Sequence, residues 1–106
     1  MIKVSVMYPF APATRFDHAY YCNKHMPLVK SRMGESCRYY TVDQGLTGGS
    51  PDAPPTYIGM SHIFCDSVEA FQNSFGRHAD EIMKDIPNFT GIAPVIQFSE
   101  VLVERG

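Results

Sequence analysis

Few residues of this chain are charged: Asp, Glu, Lys and Arg make up 19% of its 106 residues, and the formal net charge is −2. Such a surface gives no electrostatic reason to expect nucleic acid or an anionic membrane as partner, so any ligand should be small or neutral. Cysteine is scarce as well. Cys22, Cys37 and Cys65 cannot all pair within one chain and none stands in a C-x-x-C spacing. That argues against a disulfide scaffold and for reduced thiols in a cytoplasmic protein. No apolar run approaches the roughly 18 residues that a membrane helix needs, and the opening MIKVSVMYPF alternates where a signal peptide would show a basic stub and an apolar stretch. The glycine-rich GLTGGSPDAPP lacks the G-x-G-x-x-G spacing between strand and helix, so no nicotinamide or flavin site is readable and no cofactor is expected.

What the chain has is apolar: 44% hydrophobic residues with 12% aromatics, enough for the core of one domain over residues 1–106. Ile2, Val4, Val6 and Tyr8 recur with period two, which predicts a first strand stopped by Pro9 and Pro12. Thr14 with Asp17 fits a capping box that opens a helix over about Arg15 to Met33. Its apolar stripe is Ala19, Cys22, Met26, Val29 and Met33, and Gly34 ends it. SCRYYTVDQGL predicts a second strand, TGGSPDAPP a long surface loop, and TYIGMSHIFC a central third strand. Asp66 and Glu69 suggest a second capping box before the stripe Val68, Phe71, Phe75, Ala79, Ile82 and Ile86, which Pro87 stops. PVIQFSEVLVE closes the chain as a strand. The order β-α-β-β-α-β predicts an α+β, ferredoxin-like protomer with both helices on one sheet face. The other face would still carry apolar side chains, and covering it predicts a homodimer packed sheet against sheet.

Four segments, MIKVSVMYP, FDHAYYCNKHMPLV, DSVEAFQNSFGRHADEIMKDIPNF and PVIQFSEVL, together resemble the EthD family, named for ethyl tert-butyl ether degradation. The resemblance implies membership of the dimeric α/β-barrel superfamily, in which two ferredoxin-like protomers join their sheets into a barrel with a pocket between each sheet and its helices. It also implies a place in the breakdown of xenobiotic or aromatic compounds, and an oxidoreductase label that many members carry. Tyr20, Tyr21, His25 and Pro27 are the positions that match the family's motif.

The motif poses a local question. Pro27 in a helix interior would remove a backbone donor and press its ring on the carbonyl of Asn23, which costs about 3 kcal/mol unless the helix kinks or restarts. A kink would turn His25, at the edge of the stripe, towards a cleft, where an imidazole can act as acid or base near neutral pH. His25 is therefore the candidate catalytic residue. Tyr20, Tyr21, Tyr39, Tyr40 and His62 are candidate contacts to an apolar, oxygenated small molecule such as an ether, lactone or quinone. Strand alternation puts Tyr39 and Tyr40 on opposite faces, so only one of them can line a helix-side pocket. His18, Cys22 and His25 fall within about 60° on an ideal helical wheel, a donor set that zinc or copper would accept. Cys22 also belongs to the core stripe and His18 to solvent, so no metal is expected. EIMKD reads as a solvated turn with a Glu81–Lys84 pair, and Arg77 and His78 as surface residues. Two functions stay open: a cofactor-independent enzyme or accessory protein of small-molecule catabolism, and a binding or carrier module with the same pocket.

Overall fold

The computed structural model describes Met1–Gly106. Four strands, β1 (Ile2–Pro9), β2 (Tyr39–Gln44), β3 (Tyr57–Cys65) and β4 (Val95–Glu100), form one antiparallel sheet in the order β2-β3-β1-β4. Two helical segments cross one face. The first, α1, runs through His18–Tyr20, a π turn at Tyr21–His25, and Met26–Met33; the second, α2, through Val68–Phe75, a 3₁₀ turn at Gly76–His78, and Ala79–Asp85. This is the expected α+β protomer, with β1 and β3 central.

Alternation along β3 decides what the helices cover. Gly59, Ser61, Ile63 and Cys65 are buried while the residues between them keep partial exposure. Across the register Ile63 stands opposite Val4, and Val4 opposite Phe98, so one row of apolar side chains spans three strands beneath the helices. Each fully buried aliphatic side chain of this kind is worth about 1.5–3 kcal/mol. Phe16 packs closely on β3 because position 59 has no side chain: a Cβ at Gly59 would stand 2.6 Å from the Phe16 ring.

Both helix starts lie one or more residues later than the sequence pattern suggests. Asp17 caps α1 by accepting the Tyr20 N–H at 3.0 Å, and Thr14 takes no part. Ser67 caps α2 by accepting the Ala70 N–H at 3.0 Å, because Asp66 is held in a paired contact by Arg38 at 2.8 Å. Gly34 ends α1 as expected, in the left-handed region at φ 61°. The long loop between β2 and β3 closes on itself, Gly48 N–H donating to Ala53 at 3.0 Å and Ala53 N–H to Ser50 at 3.1 Å. β4 ends at Glu100, short of the expected 104, and leaves Leu102 and Val103 86% and 73% exposed.

Candidate functional site

The π turn answers the question that Pro27 raises. Met26 N–H bonds to Tyr21 O, five residues back, so the turn holds one residue more than an α turn. Pro27 then sits in the first turn of the α segment Met26–Met33, where a missing N–H costs least. The extra residue also resets the phase of the helix. Tyr21, His25, Met26, Val29 and Met33 are buried, whereas Ala19 and Cys22 are exposed. The expected core stripe is therefore corrected at its first two positions. The arc shared by His18, Cys22 and His25 does not form either, since His25 is buried and Cys22 faces outward.

His25 is 4% exposed, its ring stacked near-parallel on Tyr21 at 5.6 Å and tilted against Phe89 at 4.6 Å. Its Nδ1 lies 2.9 Å from Asp85 Oδ2. The other Asp85 oxygen accepts from the Tyr20 hydroxyl at 2.7 Å and from the Asn88 amide at 3.0 Å. Burial alone would raise the Asp85 pKa, but the hydrogen bonds from Tyr20, His25 and Asn88 hold it below the usual carboxylate range. Burial lowers the His25 pKa, and Asp85 opposes that only in part. An ionised carboxylate can only accept, so Nδ1 carries the proton, and a ring neutral at pH 7 leaves Nε2 as an acceptor. No side-chain nitrogen or oxygen is sealed inside the protein without a hydrogen bond. Nε2, which bonds to no protein group, therefore keeps contact with open space.

That space is a cleft between α1, α2 and the sheet with about 40 Å³ of free volume. Tyr8, Tyr21, His25 and Ser61 form its floor, and Met83 and Ile96, 47% and 50% exposed, stand at its mouth. Most of the lining is apolar and no Asp, Glu, Lys or Arg reaches it. Drug-sized ligands fill sites of roughly 300–1,000 Å³, so the cleft in this conformation suits a compact molecule or a mouth that widens. Flexible Met83 is well placed to give way.

The candidate residues divide between the two sheet faces. Tyr21 lines the cleft, its hydroxyl donating to Ser61 Oγ at 2.7 Å, and Tyr20 works one step back through Asp85. Tyr40 packs against the core on the helix side without reaching the cleft. Tyr39 and His62 stand on the opposite face: Tyr39 stacks on Phe64 at 4.3 Å and donates to Glu104 at 2.6 Å, and His62 bonds Ser5 Oγ through Nδ1 at 2.8 Å. Sequence reasoning missed Asp85, which holds His25, and Tyr8 in the cleft lining. Glu81 of the same EIMKD stretch pairs with Arg32 at 2.8 Å, not with Lys84, while Asp85 turns inward to His25. The one signal was its place three positions beyond the buried Ile82, on the same side of the helix.

Comparison with known proteins bears on this geometry. A family model described as the EthD domain matches residues 14–93, the span from the turn before α1 to the segment before β4. An EthD-like protein of Ralstonia eutropha JMP134, known from its crystal structure, is 55% identical, with a TM-score of 0.96 over 98% of this chain and 94% of that one. A protein of Bacillus halodurans C-125, designated an ethyl tert-butyl ether (EthD) family protein, has a TM-score of 0.71 at 21% identity. It covers 96% of this chain and 99% of that one, and supports the fold alone. No protein of curated function matches the chain.

Proposed function

The chain belongs to the EthD family, and we propose that it is a cofactor-independent proton-transfer catalyst of small-molecule degradation, with His25 as the base, acting on a compact, neutral, oxygenated apolar compound. One observation carries the reading: a buried imidazole whose Nδ1 is 2.9 Å from a carboxylate while Nε2 has no protein partner and borders an apolar cleft. In a ketone or lactone seated there, Nε2 removes a proton from the carbon next to the carbonyl. The C–H bond breaks, an N–H bond forms, and the electron pair moves onto the carbonyl oxygen. Asp85 stabilises the imidazolium so formed, and return of the proton to the same or another carbon gives exchange or isomerisation. A well-placed acid or base of this kind contributes roughly 10²–10⁴ in rate.

The test is proton exchange. Cyclohexanone in D₂O, followed by proton NMR, should lose its α-protons faster with the protein than in buffer at the same pH, and His25→Ala should remove the acceleration. Exchange no faster than in buffer with wild-type protein would overturn the assignment and leave a binding module.

The outer sheet face supports a homodimer as the working form. Met7, Met60 and Phe64 are only partly covered there, Val95 is 47% exposed, and the tail beyond β4 adds Leu102 and Val103. Sheet packing of this obligate kind should bury at least about 1,600 Å². Sedimentation showing only an 11.9 kDa species at micromolar concentration would sink it. All three thiols are unpaired, in keeping with a cytoplasmic location.

A further inference from the structure

The cleft holds two phenols, and they differ in what their hydroxyls do. Tyr21 spends its proton on Ser61 at 2.7 Å. Tyr8, on β1, is 1% exposed, and its hydroxyl bonds to no group of the protein. An unpartnered buried hydroxyl is rare, because desolvation without a hydrogen bond is costly. Since no side-chain oxygen is sealed in without a partner, the Tyr8 oxygen keeps a sliver of open space, and the open space beside Tyr8 is the cleft. The ring cannot swing to find another partner. Phe16, Tyr21 and Phe89 hold it edge-on at 5.1, 5.7 and 5.7 Å. The Tyr21 ring neighbours both Tyr8 and His25, at 5.7 and 5.6 Å, and all three line the cleft. A fixed O–H donor and a fixed imidazole acceptor thus share one apolar chamber.

We propose that Tyr8 is the residue by which the cleft captures its ligand, donating its O–H to the carbonyl oxygen of a neutral ketone, lactone or ester. The inference rests on reading the cleft as a ligand site and adds the group that recognises oxygen there. Burial, and after it the neighbouring Tyr21, raises the Tyr8 pKa far above its usual value, so the phenol stays protonated and able to donate. In the proton transfer described above, the same donor meets the oxygen on which negative charge gathers. The specificity that follows is for a hydrogen-bond acceptor without formal charge, since no cationic side chain lines the cleft to pair with a carboxylate or phosphate.

Tyr8→Phe removes the hydroxyl and keeps the ring. With no bond to lose, the variant should melt at the wild-type temperature or above it. A fall of more than about 4 °C, the order expected for losing one real interaction in a domain of this size, would mean that the hydroxyl is structural and would overturn the proposal. The second measurement uses two probes of matched shape, cyclohexanone labelled with ¹³C at the carbonyl and methylenecyclohexane, titrated by NMR. The wild type should bind the ketone with a downfield carbonyl shift. Tyr8→Phe should weaken the ketone at least fivefold and abolish that shift, with the hydrocarbon unaffected. Equal binding of the ketone by both proteins overturns the proposal, as does a wild type that takes up neither probe. His25→Ala keeps the two readings apart: ketone binding that depends on Tyr8 without α-proton exchange retains Tyr8 and removes the base. Exchange that survives Tyr8→Phe undiminished, with unchanged binding, does the reverse.

Discussion

The two sheet faces each carry a histidine beside an aspartate, and only one of these pairs is free to do chemistry. On the outer face, His62 Nδ1 is bonded to Ser5 at 2.8 Å and Nε2 looks at 3.4 Å onto the exposed Asp43 carboxylate, with no cleft beside it. On the helix face, His25 gives Nδ1 to Asp85 at 2.9 Å and keeps Nε2 for the cleft. Their surroundings differ in the same sense. Asp43 is 51% exposed and Asp85 15%, so the outer pair sits in a screened, high-dielectric setting and the inner one does not. The residue types are identical. What separates a site from a cross-strand contact is the cleft beside Nε2.

The largest expected effect tests that contrast directly. His25→Ala should lower α-proton exchange at least a hundredfold, about 2.7 kcal/mol of transition-state stabilisation, while His62→Ala changes it less than twofold. Equal losses in the two variants would erase the distinction between the faces.

The carboxylates sharpen it. Asp85 accepts from Tyr20, His25 and Asn88, so Asp85→Asn leaves partly buried donors without an acceptor of equal strength. We expect about 1–3 kcal/mol of destabilisation in urea and a tenfold or greater loss of exchange. Asp43→Asn, with one long and exposed contact, should stay within about 0.5 kcal/mol. If the outer variant proves the more damaging, the assignment of roles is wrong.

Acid should weaken the fold through both histidines. Burial is the first cause of the lowered pKa in each, reinforced at His62 by the Lys3 charge and opposed by the neighbouring aspartate in both. A group that binds its proton less well when folded stabilises the protein fully above its unfolded pKa, near 6.5. That stability is lost as pH falls from there towards the lowered folded value. The unfolding free energy should thus decline as pH falls below about 7, and His25→Gln should flatten the decline more than His62→Gln, His25 being the more deeply buried. Unfolding curves at several pH values decide it, and a decline untouched by either substitution would place its origin elsewhere.

Much of the architecture was legible because it follows from periods that a sequence displays openly. β1 and β3 alternate, the α2 stripe recurs at three and four, Gly34 stops a helix, and the order of elements leaves few topologies. The site was legible only in its motif residues. Asp85 lay hidden because a carboxylate near a helix end looks the same whether it faces water or a buried imidazole 60 positions away in the chain. Tyr8 lay hidden because a tyrosine in a strand is an ordinary core residue until its hydroxyl is found without a partner. Tyr39 and His62 were separated from the site by strand parity, which the sequence supplies, and by the choice of face, which it does not, while Tyr40 shares the helix face and falls short of the cleft by its place on the edge strand.

The remaining error, Cys22, came from assuming 3.6 residues per turn through a proline, and it yields the smallest prediction. On an unbroken α-helix Cys22 would lie four positions before Met26 and share its buried face. The π turn at Tyr21–His25 adds a residue between them and rotates Cys22 outward, giving the buried positions to Tyr21 and His25. If that is the geometry in solution, Cys22→Ser should change stability by less than about 0.5 kcal/mol. A disulfide reagent should modify Cys22 rapidly in the native protein. Cys37 and Cys65 are buried and their thiol pKa values are raised by burial, that of Cys65 to about 11, so they should react only on unfolding. Should Cys22→Ser cost 2 kcal/mol or more, and Cys22 resist the reagent, the helix would run straight through Pro27. His25 would then lose the turn that points it into the cleft, and the difference between the two sheet faces would need another cause.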